Sequence, residues 1–198
     1  MSYSPGRDPS FSERMETNTL ARDAVAREAV KLVRPGDAIF ISSGVTSLQF
    51  AQHLTTHAEE ITVITTSVHV ANALAALKSS RTILAPGDFD AVEQAVSGPE
   101  TRAFIKKFHG SRVFFGVSGL TEEGPNESRS AIAWNLRAMI SRSEQVVVLA
   151  DHTKFGEKHL ELISDLSAID VLVTDLSPEN SLREAIDDAA IELQVTSA

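Results

Sequence analysis

Short apolar runs alternate with longer segments of helical periodicity along most of the chain, and this alternation limits the possible folds. The run at 146–150 is entirely apolar, which suits a strand covered on both faces. Repeated strand–helix units of this kind predict an α/β fold with a mostly parallel sheet and helices on both faces. The predicted strands are 38–41, 61–65, 82–84, 112–117, 145–150, 171–174 and 190–195. The predicted helices are 18–35, 46–57, 67–78, 99–108, 130–141 and 178–188.

The size and charge of the chain exclude several classes of protein. Its 198 residues, 42% of them hydrophobic, fit one globular domain, and the lack of cysteine excludes disulfides and zinc–thiolate sites. The chain has 18 basic and 27 acidic residues, which give a formal net charge of −9. This charge has the wrong sign for binding the negatively charged backbone of DNA. No apolar segment is long enough to span a membrane, and residues 1–13 lack a signal-peptide core. We therefore expect a cytoplasmic protein without membrane contact.

A loop rich in hydroxyl groups follows the first predicted strand, and its residues are Ser42, Ser43, Gly44, Thr46 and Ser47. Gly44 allows a tight turn, and either Thr46 or Ser47 can cap the following helix. The free N–H groups and positive dipole end of a helix start favour a phosphate. The alternative is an ordinary well-capped turn, since the same residue types suit any strand–helix connection.

Other predicted strands also end in small polar residues, namely Thr66, Ser67, Ser118, Gly119, Asp151 and Lys154. Because ligands of open α/β sheets gather beyond the carboxyl ends of the strands, these ends predict one shared pocket. Lys154 is the candidate anion contact, with an ordinary surface lysine as the alternative. Asp151 can orient Lys154, hold a loop N–H or contact a sugar hydroxyl, and the sequence does not choose among these roles. Thr66 and Ser67 can also simply cap the next helix.

The remaining candidates favour structural interpretations. His53 and His57 lie four residues apart on a predicted helix but have no third ligand, so we predict neither a metal site nor a cofactor. No nucleophile with a supporting triad is recognisable. Trp134 is expected to fill the core or an interface, with partner contact as an open alternative. The long loops at 85–98 and 120–129 are candidates for binding segments or lids.

Several segments resemble, in order and spacing, the effector-binding domain of DeoR-type transcriptional regulators. They are 39–47, 61–67, 114–119, 137–140, 149–156, 163–170 and 171–175, and 11–14 is similar to the linker of that family. The resemblance implies a Rossmann-like fold similar to ribose-5-phosphate isomerase and CoA-transferase relatives, with a phosphorylated sugar or sugar metabolite as effector. It also implies a pocket lined by the loop at 42–47 and by Thr66, Ser67, Gly87, Ser118, Gly119 and Lys154.

The resemblance also sets expectations for domains and partners. We expect residues 1–17 to be a linker or arm and 18–198 to be the sensor domain, which assembles into a homo-oligomer. Family members usually carry an N-terminal winged helix–turn–helix, and nothing in 1–17 can fold into one, so DNA contact is expected only through a segment outside this chain.

Some positions depart from the family pattern. Ser42, Val45 and Thr66 stand where aspartate, threonine and asparagine are frequent, so the effector can differ from those of other members. Ile132 and Leu136 replace a frequent glutamate and lysine, which predicts apolar packing there.

Three functions remain in competition. The preferred one is a non-enzymatic, ligand-sensing domain of a repressor of sugar metabolism. A sugar-phosphate isomerase needs a carboxylate beside the substrate carbonyl, and the segment 116–119 contains none, although Glu122, Glu123 or Glu127 can act as a displaced base. An interaction scaffold predicts self-association, for example through Trp134, without ligand binding.

Overall fold

The computed structural model describes residues 10–196, and strands alternate with helices along this range. The α-helices are α1 (Phe11–Met15), α2 (Thr19–Ala29), α3 (Val45–His57), α4 (Val68–Leu74), α5 (Pro99–Ile105), α6 (Ser130–Ile140) and α7 (Asn180–Asp188). The strands are β1 (Ala38–Ile41), β2 (Thr62–Thr65), β3 (Arg81–Leu84), β4 (Asp88–Asp90), β5 (Ala95–Ser97), β6 (Gly110–Gly116), β7 (Gly119–Thr121), β8 (Gly124–Glu127), β9 (Ser143–Leu149), β10 (Glu161–Leu162), β11 (Val171–Thr174) and β12 (Glu192–Val195). Three 3-10 helices occupy Val30–Leu32, His152–Lys154 and Leu166–Ala168.

Seven strands form the main sheet, in the order β12-β11-β9-β6-β1-β2-β3, and each neighbouring pair is parallel. The chain builds outward from β1 to β2 and β3, and then continues on the other side of β1 with β6, β9, β11 and β12. The direction of winding therefore reverses between β1 and β6. Loops leave such a switch point in opposite directions and open a crevice at the carboxyl edge of the sheet.

Helices cover both faces of this sheet, as the sequence predicts. On one face α2, α3 and α4 enclose an apolar core in which the rings of Phe50 and Phe114 stack at 4.4 Å between centroids. On the other face α5, α6 and α7 bury Ile105, Leu136 and Ile186 against Phe115 and its neighbours. The α/β fold with a parallel sheet is thus confirmed. Within residues 10–196 no helix combines the length and the apolar character that crossing a membrane requires.

The two long predicted loops contain short antiparallel strands. The first forms the β4–β5 hairpin, and the second forms the β7–β8 hairpin, whose β8 also pairs with β10. Both hairpins lie on the carboxyl side of the main sheet, next to the ends of β2 and β6.

The N-terminal segment predicted as an arm contains α1. Its capping box is formed by Ser10, whose hydroxyl accepts from the backbone N–H of Glu13, while the Glu13 carboxylate accepts from the N–H of Ser10. Phe11 is buried against Val45 and Leu48 of α3 and stacks on His69. The helix is therefore docked beside the start of α3.

Trp134 does not fill the core, because 48% of its surface is exposed. The guanidinium groups of Arg102 and Arg137 lie 5.1 and 6.0 Å from the centroid of its ring. These cation–π contacts hold the indole at the surface. The expectation that it belongs to an interface stays a prediction.

Candidate ligand-binding site

A cavity opens at the switch point of the sheet, above the carboxyl ends of β1, β6 and β9. Its lining residues come from the helices α1, α2, α3 and α6, from β6, β8 and the β4–β5 turn, and from the segments that follow β1, β6 and β9. They are Arg14, Arg22, Ser43, Gly44, Val45, Thr46, Glu93, Gly116, Val117, Ser118, Glu127, Ile132 and Lys154. A second depression continues outward from Lys154 over Ser118, Ser128, Thr153, Glu157 and His159.

The start of α3 forms one wall of the cavity. Gly44 is the N-cap residue, with a φ of 120°, and no side chain within the described part of the chain caps the first turn. The prediction that Thr46 or Ser47 caps this helix is therefore wrong, because the positive φ of Gly44 starts the helix before them. Free N–H groups at a helix start form an anion site.

The buried hydroxyl groups of Ser42 and Ser47 stabilise this loop through hydrogen-bond contacts. Their hydroxyl oxygens lie 3.2 Å apart, and the Ser42 hydroxyl donates to the carbonyl of Ser43 at 3.0 Å. Both side chains are buried and neither lines the cavity. Their neighbours Ser43 and Thr46 do line it.

Lys154 ends the 3-10 helix that follows β9, and it lines the cavity together with Gly44. Asp151 caps this short helix, since its Oδ1 accepts from the backbone N–H of Thr153 at 3.1 Å and from the Thr153 hydroxyl. Of the three roles considered for Asp151, holding a loop N–H is the one that the structure shows. The pKa of Lys154 is lowered by burial, an effect that Asp151 opposes and that the charges of Arg22 and Arg14 reinforce.

Arg22 is a functional candidate that the sequence reasoning missed. It is only 3% exposed, and its Nη1 donates to the carbonyls of Arg14 at 2.5 Å and Thr17 at 2.8 Å. Its Nε lies 3.4 Å from Oδ2 of Asp151. Burial lowers the pKa of Arg22, and Asp151 counteracts this shift. The sequence contained a signal for it, namely a charged residue on the apolar face of a helix. Arg22 begins the buried face of α2 that continues with Val25, Ala26 and Ala29, and a charge buried there requires a compensating partner.

Arg14 was also missed, because the segment around it reads as a polar arm. The docking of α1 carries it to the cavity, where its Nη2 lies 2.5 Å from Oε2 of Glu93. Three cations, Arg14, Arg22 and Lys154, therefore surround one space beside the start of α3.

Two buried carboxylates complete the lining. Glu127 accepts four hydrogen bonds on Oε1, from the hydroxyl of Ser118 at 2.8 Å, from the N–H and hydroxyl of Ser128 at 2.8 and 3.0 Å, and from the N–H of Arg129 at 3.2 Å. Glu93, on the β4–β5 turn, contacts Arg14 and also Nη2 of Arg129 at 2.9 Å. Glu122 and Glu123 do not line the cavity and pair instead with Ser181 and Lys158.

The structure brings five of the predicted residues together at this cavity, namely Ser43, Gly44, Thr46, Ser118 and Lys154. Thr66 and Ser67 lie apart from it under β5, because the N–H of Val96 donates to the carbonyl of Thr66 at 2.8 Å and Ser67 bridges to Ala95. Ser67 also caps α4 by accepting from the N–H of Val70 at 3.3 Å. The capping interpretation is therefore the observed one for Ser67, whereas Thr66 contacts Val96 through its backbone carbonyl.

Gly87 and Gly119 permit close packing outside the cavity lining. A Cβ atom at Gly119 would stand 2.0 Å from the carbonyl oxygen of Glu157, and one at Gly87 would stand 2.0 Å from Oγ1 of Thr101. Among residues outside the predicted pocket, Ile132 supplies an apolar wall, while Leu136 packs in the core, in line with the apolar contacts expected there.

The histidine pair does not form a chelate. Nε2 of His53 lies 2.7 Å from Oδ1 of Asp23, and Nδ1 of His57 lies 3.0 Å from the backbone carbonyl of His53. Across residues 10–196, no group of three or more histidine, aspartate or glutamate side chains is placed to hold a metal ion.

A parallel α/β sheet with helices on both faces and a cavity at its switch point defines a Rossmann-like domain. The model of the DeoR C-terminal sensor domain family matches residues 17–176. The chain therefore belongs to the DeoR C-terminal sensor domain family.

Two curated relatives illustrate the family. The chain is 28% identical over 187 residues to the HTH-type transcriptional repressor GlcR of Bacillus subtilis, covering 94% of this chain and 72% of the relative. It is also 28% identical over 191 residues to the glycerol-3-phosphate regulon repressor of Escherichia coli, covering 93% of this chain and 73% of that protein.

Solved structures show where else the fold occurs. Ribose 5-phosphate isomerase A from Methanocaldococcus jannaschii matches 72% of this chain with a TM-score of 0.53 and 19% identity. The eIF2B beta subunit from Chaetomium thermophilum matches 90% with a TM-score of 0.59 and 18% identity. The chain spans 56% and 55% of these two proteins, and the likeness concerns the fold alone.

Proposed function

We propose that the cavity binds a phosphorylated sugar or a closely related metabolite, as the effector site of a DeoR-type repressor of carbohydrate metabolism. The observation that carries this proposal is the meeting of Arg14, Arg22 and Lys154 beside the uncapped first turn of α3. Cations and free backbone N–H groups that converge on one space suit a phosphate dianion.

The electrostatics of the cavity support an anionic ligand. Lys154 is a partly desolvated cation whose charged form is further disfavoured by Arg22 and Arg14. A phosphate placed among these groups removes that repulsion and accepts charge-assisted hydrogen bonds, which contribute about 1.5–3 kcal/mol each. Glu93 and Glu127 also line the cavity, but cations or hydrogen-bond donors compensate the charge of each carboxylate, which weakens its repulsion of an anionic ligand.

The relatives support the chemical class of the ligand and the setting. One is named for the glycerol-3-phosphate regulon and another as a putative aga operon transcriptional repressor. By analogy we propose a homo-oligomeric, cytoplasmic regulator that contacts DNA through a helix–turn–helix outside residues 1–198, with ligand binding shifting its conformational population.

The site is proposed to sense its ligand without transforming it. An isomerase of this fold needs a carboxylate free to move a proton, and among the three glutamates considered for this role only Glu127 lines the cavity. Its Oε1 is occupied by four donors, which suits a structural anchor for the loop at 127–129. Turnover of ribose 5-phosphate that disappears in Glu127→Gln would overturn this part of the proposal.

Calorimetry with a panel of pentose, hexose and glycerol phosphates tests the binding itself. We expect at least one compound to bind the wild-type chain and to lose roughly tenfold or more in affinity in Lys154→Ala. Lys158→Ala is the matched control, because Lys158 is exposed, pairs with Glu123 and does not line the cavity. Absence of binding across the panel, or equal affinities in Lys154→Ala and wild type, contradicts the proposal.

A further inference from the structure

The helix α1 is too short to be stable by itself, so its position depends on contacts with the rest of the domain. It has five residues, whereas isolated helices shorter than about 12 residues are marginal in water. Phe11 supplies its apolar contact, and the cluster that Phe11 forms with Val45 and Leu48 lies outside the two main cores. Undocking of α1 therefore leaves both cores of the sheet intact.

The polar contacts of α1 lie at the cavity. Arg14 forms the ion pair with Glu93 of the β4–β5 turn, and Arg22 donates to the backbone carbonyl of Arg14. Asn18 joins α1 to α2 in the left-handed region, with a φ of 48°, and its side-chain amide donates to the hydroxyl of Thr153 at 3.2 Å. The docked position of α1 therefore depends on groups that surround the proposed anion site.

Docking of α1 brings a third positive charge to this space. Burial is the main cause that lowers the pKa of Arg22 and of Lys154, and the charge of Arg14 lowers both further. The docked helix thus carries a cost of charge repulsion, which Glu93 opposes by pairing with Arg14. An anion among the three cations removes the repulsion and therefore favours the docked position of α1.

We infer that α1 is a lid that an anion in the cavity holds closed, so that ligand occupancy fixes the direction in which the chain leaves toward its N-terminus. This inference rests on the proposed function and adds its regulation. Coupling between two equilibria is reciprocal, so an anion that favours the docked helix also binds more tightly when the helix is docked. A DNA-binding segment joined ahead of α1 then has a more restricted orientation while the ligand is bound.

Hydrogen exchange followed by mass spectrometry measures the docking of α1. The full chain is compared with and without saturating inorganic phosphate, and sodium chloride keeps the ionic strength constant. We expect phosphate to slow exchange of the amides in 11–17 by roughly fivefold or more, the lower end of typical coupling factors. This slowing should be lost in Arg14→Met. Arg27→Met should keep it, because Arg27 is an exposed residue of α2 outside the cavity lining.

The reciprocal measurement uses a residue that does not line the cavity. Phe11→Ala weakens the docking of α1 and leaves the cavity lining unchanged, so calorimetry should show phosphate binding roughly fivefold or more weaker than in the wild type. Phe104→Ala is the matched control. It removes the same ring from α5, where Phe104 contacts Phe108 away from the cavity lining, and it should keep the wild-type affinity.

Three results overturn the lid: Lys154-dependent phosphate binding that leaves exchange of 11–17 unchanged, equal slowing in Arg14→Met and wild type, or an unchanged phosphate affinity in Phe11→Ala. If Phe11→Ala does not fold, the exchange measurements still decide. Absence of phosphate binding also rejects the lid. Failure of the proposed function looks different, because no compound of the sugar phosphate panel would then bind in a Lys154-dependent manner.

Discussion

Replacing Arg22 with methionine tests whether a buried cation ties the N-terminal helix to the strand ends. The substitution keeps a long apolar stem but removes the donors to the carbonyls of Arg14 and Thr17 and leaves Asp151 without its nearest cation. Removing one partner from a buried charge pair costs about 3–5 kcal/mol. Methionine avoids the desolvation that lowers the pKa of Arg22, and this offsets part of the loss.

We therefore expect the free energy of unfolding to fall by about 3 kcal/mol in Arg22→Met, which for a domain of this size corresponds to roughly 6–12 °C in Tm. Urea unfolding measures the first quantity and a thermal melt the second. Arg27→Met is the control on the same helix, because Arg27 is exposed and its i,i+4 pair with Asp23 contributes only about 0.3–0.5 kcal/mol. A loss below about 1 kcal/mol, or one equal to that of the control, would refute the structural role assigned to Arg22.

Three further predictions concern pH, packing and assembly. The pKa of Lys154 is lower in the folded state, so the unfolded chain binds more protons at pH values between the folded-state pKa and the ordinary lysine pKa. The free energy of unfolding of the ligand-free protein should therefore rise with pH through this window. Urea unfolding of Lys154→Met should show a smaller rise. Gly119→Ala places a Cβ atom 2.0 Å from the carbonyl oxygen of Glu157, so we expect the free energy of unfolding to fall by about 1–3 kcal/mol. An unchanged midpoint of urea unfolding would contradict this packing. If Trp134 belongs to a homo-oligomer interface, Trp134→Ala should lower the molar mass of the particle measured by light scattering, while Tm stays within a few degrees. An unchanged molar mass would show that Trp134 does not contribute to such an interface.

The elements of the main sheet were predictable because each depends on a local pattern. The predicted bounds of β1 and β11, 38–41 and 171–174, agree with the structure. The predicted helices at 67–78 and 99–108 are too long, since α4 ends at Leu74 and α5 at Ile105. Apolar residues continue beyond both ends, but there the backbone closes turns with i,i+3 bonds, such as Leu77 N–H to Leu74 and Phe108 N–H to Ile105.

The short antiparallel strands were not predicted from the sequence, because pairing with neighbouring strands forms them and not a local pattern. β4 and β10 are only three and two residues long, too short for a periodic pattern to predict a strand. The fold of the β4–β5 segment matters for the site, since it covers Thr66 and Ser67 and brings Glu93 to the cavity.

By itself, the sequence determined the parallel α/β architecture, the strand ends that carry Gly44 and Lys154, and the likeness to the DeoR sensor domains, because apolar periodicity and short motifs are local properties of the chain. Only the tertiary structure decided which polar residues share a cavity. Arg14, Arg22 and Glu93 lie far from Lys154 in sequence, and docking of α1, the buried face of α2 and the β4–β5 turn bring them together. Contacts across such separations depend on how whole elements pack, which no local pattern records.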